Sequence, residues 1–290
     1  MFKKLFLVFF VGIVLQAQAV ASQNNAESHD QLQVKLQSMP QSNPLINMDF
    51  SEADYAWIGA RIYQNECNSQ AKNLTFWGAG EAFPSLGIGH FIWFPEGINP
   101  PYNETFPELF KFLSAKSIPP QWLMQLTSFN APWKNRHTFE QARSTIQMTA
   151  LRDWLESTQL YQAQFIVAQF GQRWSLAIKQ QPLETQRVLN QRLKALLSFK
   201  QGGFAVIDYV NFKGVGGNPK EQYQGEEWGL FSVLNHMPYS ETGNQQQRLT
   251  AFIDSAKQRL QLRTELAPPK RNEQRWLAGW FKRLDGYHQR

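Results

Sequence analysis

From Ser51 onward, apolar residues recur three and four positions apart in segment after segment. That period confines such a chain to helices packed on helices. Only residues 73–94 break it, with closely spaced glycines, a proline and short apolar and aromatic runs that read as a small β-hairpin or meander. The fold class expected is therefore mainly α (α+β). With 290 residues the chain is long enough for one or two domains, since domains run to about 100–200 residues. No internal repeat is visible.

Ser51-Glu52-Ala53-Asp54 has the form of a capping box and opens a helix to about residue 67. Tyr55, Ile58, Ile62 and Glu66 share one face of it. Pro100-Pro101 closes the β-rich lobe. Thr105-Phe106-Pro107-Glu108 starts a helix, Pro119-Pro120 a second and Thr138-Phe139-Glu140-Gln141 a third. Helices are expected over 144–157, 158–179, 183–200, 226–237, 244–262 and 273–284. The apolar run at 204–210, after Gly202-Gly203, is either strand or buried helix, because periodicity does not separate the two.

Residues 1–21, MFKKLFLVFFVGIVLQAQAVA, place two lysines before an apolar stretch of about 11 residues and then small residues in Ala-x-Ala order. This is the layout of a secretory signal peptide, too short to span a bilayer comfortably. Residues 22–47, rich in Gln, Asn and Ser, read as a flexible tether, leaving 48–290 as a single folded unit with a C-terminal helical extension. The expected location is periplasmic or secreted. The net charge of +6 includes Lys3 and Lys4 of the leader, so the exported chain is only mildly basic. That excess suits an anionic polymer and is too weak to argue by itself for nucleic acid, which is not expected as a partner. One cysteine excludes an intramolecular disulfide framework and a Cys-rich zinc site. Five scattered histidines with no HExxH spacing leave no metal expected. No cofactor is implied. Gly214 to Lys220 superficially resembles a phosphate loop but lacks Gly-Lys-Ser/Thr. Cys67 reads as a buried thiol rather than a nucleophile paired with His90.

Glu66 is the most informative residue. A carboxylate on the apolar face of a helix, at its negative end, meets two influences that favour the protonated form and thus a general acid; alternatively it ends the helix and reaches water. A short polar loop follows, then Leu74-Thr75-Phe76-Trp77, Gly78-Ala79-Gly80-Glu81 and Ser85-Leu86-Gly87-Ile88-Gly89-His90. This order resembles phage-type lysozymes of the lysozyme-like superfamily, in which a helix-terminal Glu precedes a hairpin and a Thr-Ile-Gly-Ile-Gly-His-like segment. Residues 202–214, followed by Trp228-Gly229-Leu230-Phe231-Ser232-Val233-Leu234, are similar to a later helix of the same family that ends in an Asn-containing turn.

The resemblance implies a helical body, a small β-rich lobe and a cleft between them. It implies Glu66 as general acid, Ser85 as the hydroxyl that places the attacking water, and His90 as the structural histidine closing the motif, beside the substrate. The family's second acid lies six residues before the hydroxyl, where this chain has Ala79. Glu81, the one acid on the hairpin, is the candidate in its place. Asn211 is a candidate for sugar hydroxyls and N-acetyl groups. Asp208 and Lys213 are either cleft residues or internal pairs. Trp77 and Trp93 either stack on sugar or fill the small lobe's core. Trp276, Leu277, Trp280, Phe281 and Leu284 form one face of the last helix, which either docks on the domain or touches a membrane surface or anionic wall polymer through Trp276 and Trp280. The activity expected is cleavage of β-1,4 bonds in peptidoglycan or a related amino-sugar polymer, either by hydrolysis, as in a muramidase, or as in a lytic transglycosylase, where the sugar's own hydroxyl replaces water. The alternatives are a non-catalytic glycan-binding or scaffold protein on the same fold, a chitosanase-like hydrolase, and a periplasmic inhibitor or chaperone.

Overall fold

A computed structural model describes residues 48, 50–98, 103–218, 221–240 and 242–288. The expected signal peptide and tether lie outside them. Among the described residues there are eleven α-helices, a three-stranded sheet and a two-stranded sheet.

Helix α1, Glu52–Cys67, starts at the expected capping box: Ser51 Oγ accepts from the Asp54 amide and the Asp54 carboxylate accepts from the Ser51 amide. It ends where Asn68 and Ser69 turn left-handed, at φ 51° and 52°. The chain then enters β1 (Thr75–Phe76), β2 (Ser85–Leu86) and β3 (Phe91–Ile92). The strands form one antiparallel sheet in that order, with Phe76 opposite Ser85 and Ser85 opposite Ile92.

The remaining elements are α2 (Phe106–Ser114), α3 (Gln121–Met124), α4 (Arg136–Gln141), α5 (Ile146–Ser157), α6 (Gln159–Ile178), α7 (Leu183–Leu197) and α8 (Lys200–Lys213), then the hairpin β4 (Gln222–Tyr223) and β5 (Glu226–Glu227), then α9 (Leu230–His236), α10 (Gln245–Leu266) and α11 (Gln274–Asp285). Three expectations shift. Thr138 is not the cap of α4; Asn135 is, with Thr138 completing the box from inside. Thr105 precedes α2, but its hydroxyl accepts from the Ile92 amide at 2.9 Å and so ties β3 to α2. Residues 226–227 pair as a strand, and the helix expected there starts only at Leu230.

The run 204–210 is helical and buried at every position, within α8. Its uniform apolarity hides the period because helices surround it on all sides. Gly202 lies inside this helix. A Cβ there would come 2.2 Å from the Leu196 carbonyl, so glycine permits the tight turn between α7 and α8.

One apolar core runs from Ile58 in α1 to Tyr287 after α11. Helices α1 and α6 pack along each other, and α11 packs on α10. Glu273, the residue before α11, is buried and accepts from Arg263 of α10 at 2.6 Å and from Tyr223 of β4 at 2.8 Å. This pair fixes the start of the last helix. Among the described residues no helix is long and apolar enough to cross a membrane.

Candidate functional site

The end of α1, the start of β2, the turn before β3 and the last turn of α11 meet at one place. Glu66 occupies the next-to-last position of α1, with its side chain 16% exposed. His90 follows the turn between β2 and β3 and is equally shielded. Its Nδ1 lies 3.2 Å from Ser85 Oγ, and its Nε2 lies 3.4 Å from the Glu66 carbonyl and 3.9 Å from Glu66 Oε2. The carbonyl accepts only, so Nε2 is the donor in that contact, and the direction of the Ser85–Nδ1 bond follows the protonation of the ring. Three residues of the motif thus form a chain from hydroxyl to imidazole to the Glu66 backbone carbonyl, with the Glu66 carboxylate 3.9 Å from the ring.

Local sequence explains how the turn holds this geometry. Gly87 has φ +73°, and a Cβ on it would lie 2.4 Å from Gln162 Oε1. That oxygen accepts from the Ile88 amide at 2.9 Å. Gln162, on α6, is fully buried, and its amide donates to the Leu155 carbonyl at 2.6 Å and to Thr158 Oγ1 at 3.1 Å. The glycine-rich segment is therefore clasped to the helical body by a satisfied buried amide. His90 itself sits at φ 50°, a region uncommon for residues with a side chain. The clasp on one side and strand β3 on the other impose it.

Arg283, on α11, reaches this place from 217 residues away. Its Nη2 donates to Glu66 Oε1 at 2.6 Å and to Asp208 Oδ1 at 2.7 Å, and its Nε donates to Asp208 Oδ2 at 2.7 Å. Asp208 is 1% exposed. It also accepts from Tyr287 OH at 2.6 Å and from Asn65 Nδ2 at 3.2 Å. Burial alone raises a carboxyl group's pKa, but the Arg283 charge and these hydrogen bonds outweigh it and hold Asp208 below the usual carboxylate range. The same carboxylates hold the Arg283 guanidinium well above its ordinary range despite its burial. Asp208 therefore belongs to a buried pair linking α8 to α11. Glu66 stands as the acceptor in an ion pair at Oε1, with Oε2 turned toward His90. The expectation of an acid in a dry apolar wall omitted this partner.

Burial pushes the Cys67 thiol up to about 12, with the neighbouring Glu66 adding to it, and its sulfur faces the Asn73 carbonyl at 3.6 Å. It is a structural thiol.

The other sequence candidates separate. Glu81 lies in the β1–β2 loop, where its carboxylate accepts from the Gly78 amide at 3.1 Å and its carbonyl from Trp77 Nε1 at 2.8 Å. These bonds fold it back on its own loop; no hydrogen bond or ion pair links it to Glu66, His90 or Ser85. Trp77 and Trp93 are buried, and their rings face Phe139 in one case and Phe106, Phe129 and Trp133 in the other. They fill the core and present no face to a sugar. Phe76 is the exposed aromatic here, 41% accessible and edge-on to His90. Strand alternation is the signal that separates Phe76 from Trp77.

Asn211 lines a small recess together with Gly89, Phe91, Thr105 and Ile166, a recess that Glu66 does not line. A larger depression of about 390 Å³, lined by Phe199, Gln201, Asn244 and His288, includes none of the motif residues. Lys213 turns inward. Its Nζ lies 3.6 Å above the Trp280 ring and 4.1 Å above that of Phe212. Burial, with Arg263 and Arg283 nearby, holds its amine well below the ordinary lysine range. On α11, Leu277 and Leu284 are buried while Trp276 is 37% exposed, so one side of the helix docks on the body.

Among the described residues, no group of three His, Cys, Asp or Glu side chains is placed to hold a metal ion. Comparison of the chain with protein-family models, with curated proteins and with solved structures finds no match.

Proposed function

We propose that this protein is an exported glycoside hydrolase with a lysozyme-like arrangement, cleaving β-1,4 bonds in peptidoglycan or a related amino-sugar polymer. The observation that carries the reading is the meeting of Glu66, at the end of α1, with Ser85 and His90 of the β-rich lobe. A glycosidic oxygen leaves only when it receives a proton, and Glu66 is the acid positioned to give one. Arg283 holds Oε1, so Oε2 is the oxygen left to give the proton. As the bond to the leaving sugar breaks, Arg283 is already in place to stabilise the carboxylate that forms. Ser85 orients water at the sugar carbon, and Phe76 offers an exposed ring for a pyranose face.

The reading is tested by turbidity. Purified protein is expected to clear a peptidoglycan suspension, and Glu66→Gln, which keeps the shape and removes the acid, is expected to abolish clearing. Clearing that survives this substitution contradicts the assignment. A second reading, a non-catalytic glycan-binding or scaffold protein, is favoured by the Glu66–Arg283 ion pair and by Ala79 at the position of the family's second acid. It requires binding of wall polymer by wild-type protein with no loss of turbidity. Export and the periplasmic location belong to the same proposal, and fractionation of tagged full-length protein tests them.

A further inference from the structure

The depression of about 390 Å³ lies apart from the motif and has a lining of one chemical kind. Its volume falls in the range of about 300–1,000 Å³ common for small-molecule sites. Its floor is apolar: Phe199, just before α8, and Leu249, on α10, are 8% and 2% exposed. Its rim is uncharged amides and one imidazole. Gln201 comes from the first turn of α8, Asn244, Gln245 and Gln246 from the start of α10, and His288 from the turn after α11.

Much of the rim's hydrogen-bonding capacity is uncommitted. The side chains of Gln201 and Gln245 have no hydrogen-bond partner among the described residues. Asn244 spends Oδ1 on capping α10, accepting from the Gln247 amide at 2.9 Å, and keeps its NH2 group. Gln246 Nε2 donates to His288 Nδ1 at 2.9 Å, which leaves Gln246 Oε1 as an acceptor and His288 Nε2 as a donor. A charged ligand finds no counter-ion here. The lining includes no Asp, Glu, Lys or Arg among the described residues, and Lys200, beside Phe199 in the chain, sets its Nζ over the Trp57 ring at 5.4 Å. A neutral ligand with one apolar face and a margin of hydroxyl or acetamido groups matches both parts of the depression. A pyranose is such a ligand: its C–H face covers Phe199 and Leu249, and each free amide offers a donor and an acceptor to the groups around the ring.

We propose that this depression is a second saccharide-binding site, taking uncharged amino-sugar units of the polymer. It rests on the hydrolase reading given above for the identity of that polymer. Helix α8 joins the two places. Gln201 stands seven residues before Asp208, the partner of Arg283, so the depression lies about 10 Å along the helix axis from the Glu66 cluster. Polymer held there keeps further bonds close to Glu66 after each cut.

The experiment titrates the tetramer of N-acetylglucosamine into Glu66→Gln protein and follows the side-chain amide signals by N–H correlation NMR. Expected are shifts of the Gln201 and Gln245 amide signals. The double variant Gln201→Ala, Gln245→Ala is expected to bind about 10-fold more weakly at this site, read on the Asn244 and Gln246 signals. Should the double variant not fold, Gln245→Ala alone, at a fully exposed position, takes its place with a loss of about threefold. Shifts confined to the surroundings of Glu66 and Phe76, or an unchanged affinity in the variants, overturn the proposal. So do the same signals moving with a wall stem peptide and not with the sugar. Turbidity of a peptidoglycan suspension with wild-type protein separates the two claims. Clearing without shifts at Gln201 and Gln245 removes the second site alone, whereas shifts there without clearing remove the hydrolase reading and leave the saccharide site standing.

Discussion

Replacing Arg283 with Met removes three short hydrogen bonds at once, two to Asp208 and one to Glu66. Asp208, 1% exposed, keeps only Tyr287 and Asn65 as partners. Removing one member of a buried ion pair costs about 3–5 kcal/mol, because the remaining charge stays out of water. Domains are stable by about 5–15 kcal/mol in total, so the loss is a large fraction. At about 2–4 °C per kcal/mol for a chain of this size, the melting temperature is expected to fall by roughly 6–20 °C. Adding Asp208→Asn removes the stranded charge and is expected to recover at least half of the loss. Urea unfolding at pH 7 measures both. The pH dependence follows from the same pair. Asp208 has its pKa depressed in the folded state, so its contribution is present above the ordinary carboxylate value of about 3.9 and is lost as pH falls through the lower folded value. The stability gap between wild type and Asp208→Asn is therefore expected to be constant from pH 7 to about 5 and to close in stronger acid. A loss under about 1 kcal/mol for Arg283→Met, or no recovery in the double variant, refutes the reasoning.

Lys213 has its amine depressed by burial and by two guanidinium groups, so between its folded pKa and about 10.4 the unfolded chain binds more protons and stability rises with pH. Lys213→Met is expected to raise the melting temperature at pH 7 and to flatten that rise; calorimetry at pH 7 and 9 checks it. Cys67, buried and pushed up to about 12, is expected to resist a thiol reagent in the native protein at pH 8 and to react fully in denaturant; rapid native labelling would contradict its placement. Gly87→Ala forces a Cβ onto Gln162 at a positive φ and is expected to cost about 1–3 kcal/mol, read by urea unfolding. Phe76→Ala is expected to weaken binding of soluble glycan fragments with little change in stability, whereas Trp93→Ala is expected to destabilise by about 3–5 kcal/mol.

The helical body was legible in the sequence because caps and periods are local. Ser51 and Asp54 write the start of α1, and the glycines of 85–90 mark the turn that presents His90. Glu66, Ser85 and His90 were readable as a group only through their order along the chain. Arg283 was not, because a guanidinium on a C-terminal helix gives no sign of which carboxylate it meets 217 residues earlier. Gln162 left a trace, a lone amide among the apolar positions of α6, but its partner is a backbone amide that no pattern names. The buried tryptophans were ambiguous because an aromatic ring serves a core and a sugar surface equally well; only the alternation of burial over residues 75–77, along β1 and one position past it, separates Phe76, outside, from Trp77, inside.

The central claim is that Glu66 donates a proton to a glycosidic oxygen. Mass spectrometry of the material released from purified peptidoglycan tests it most directly, comparing wild-type protein with Glu66→Gln. The account predicts glycan fragments cut between sugars, with one water added per cut, from wild type and none from the variant. Intact glycan strands after wild-type digestion, or the same fragments from both proteins, would contradict it.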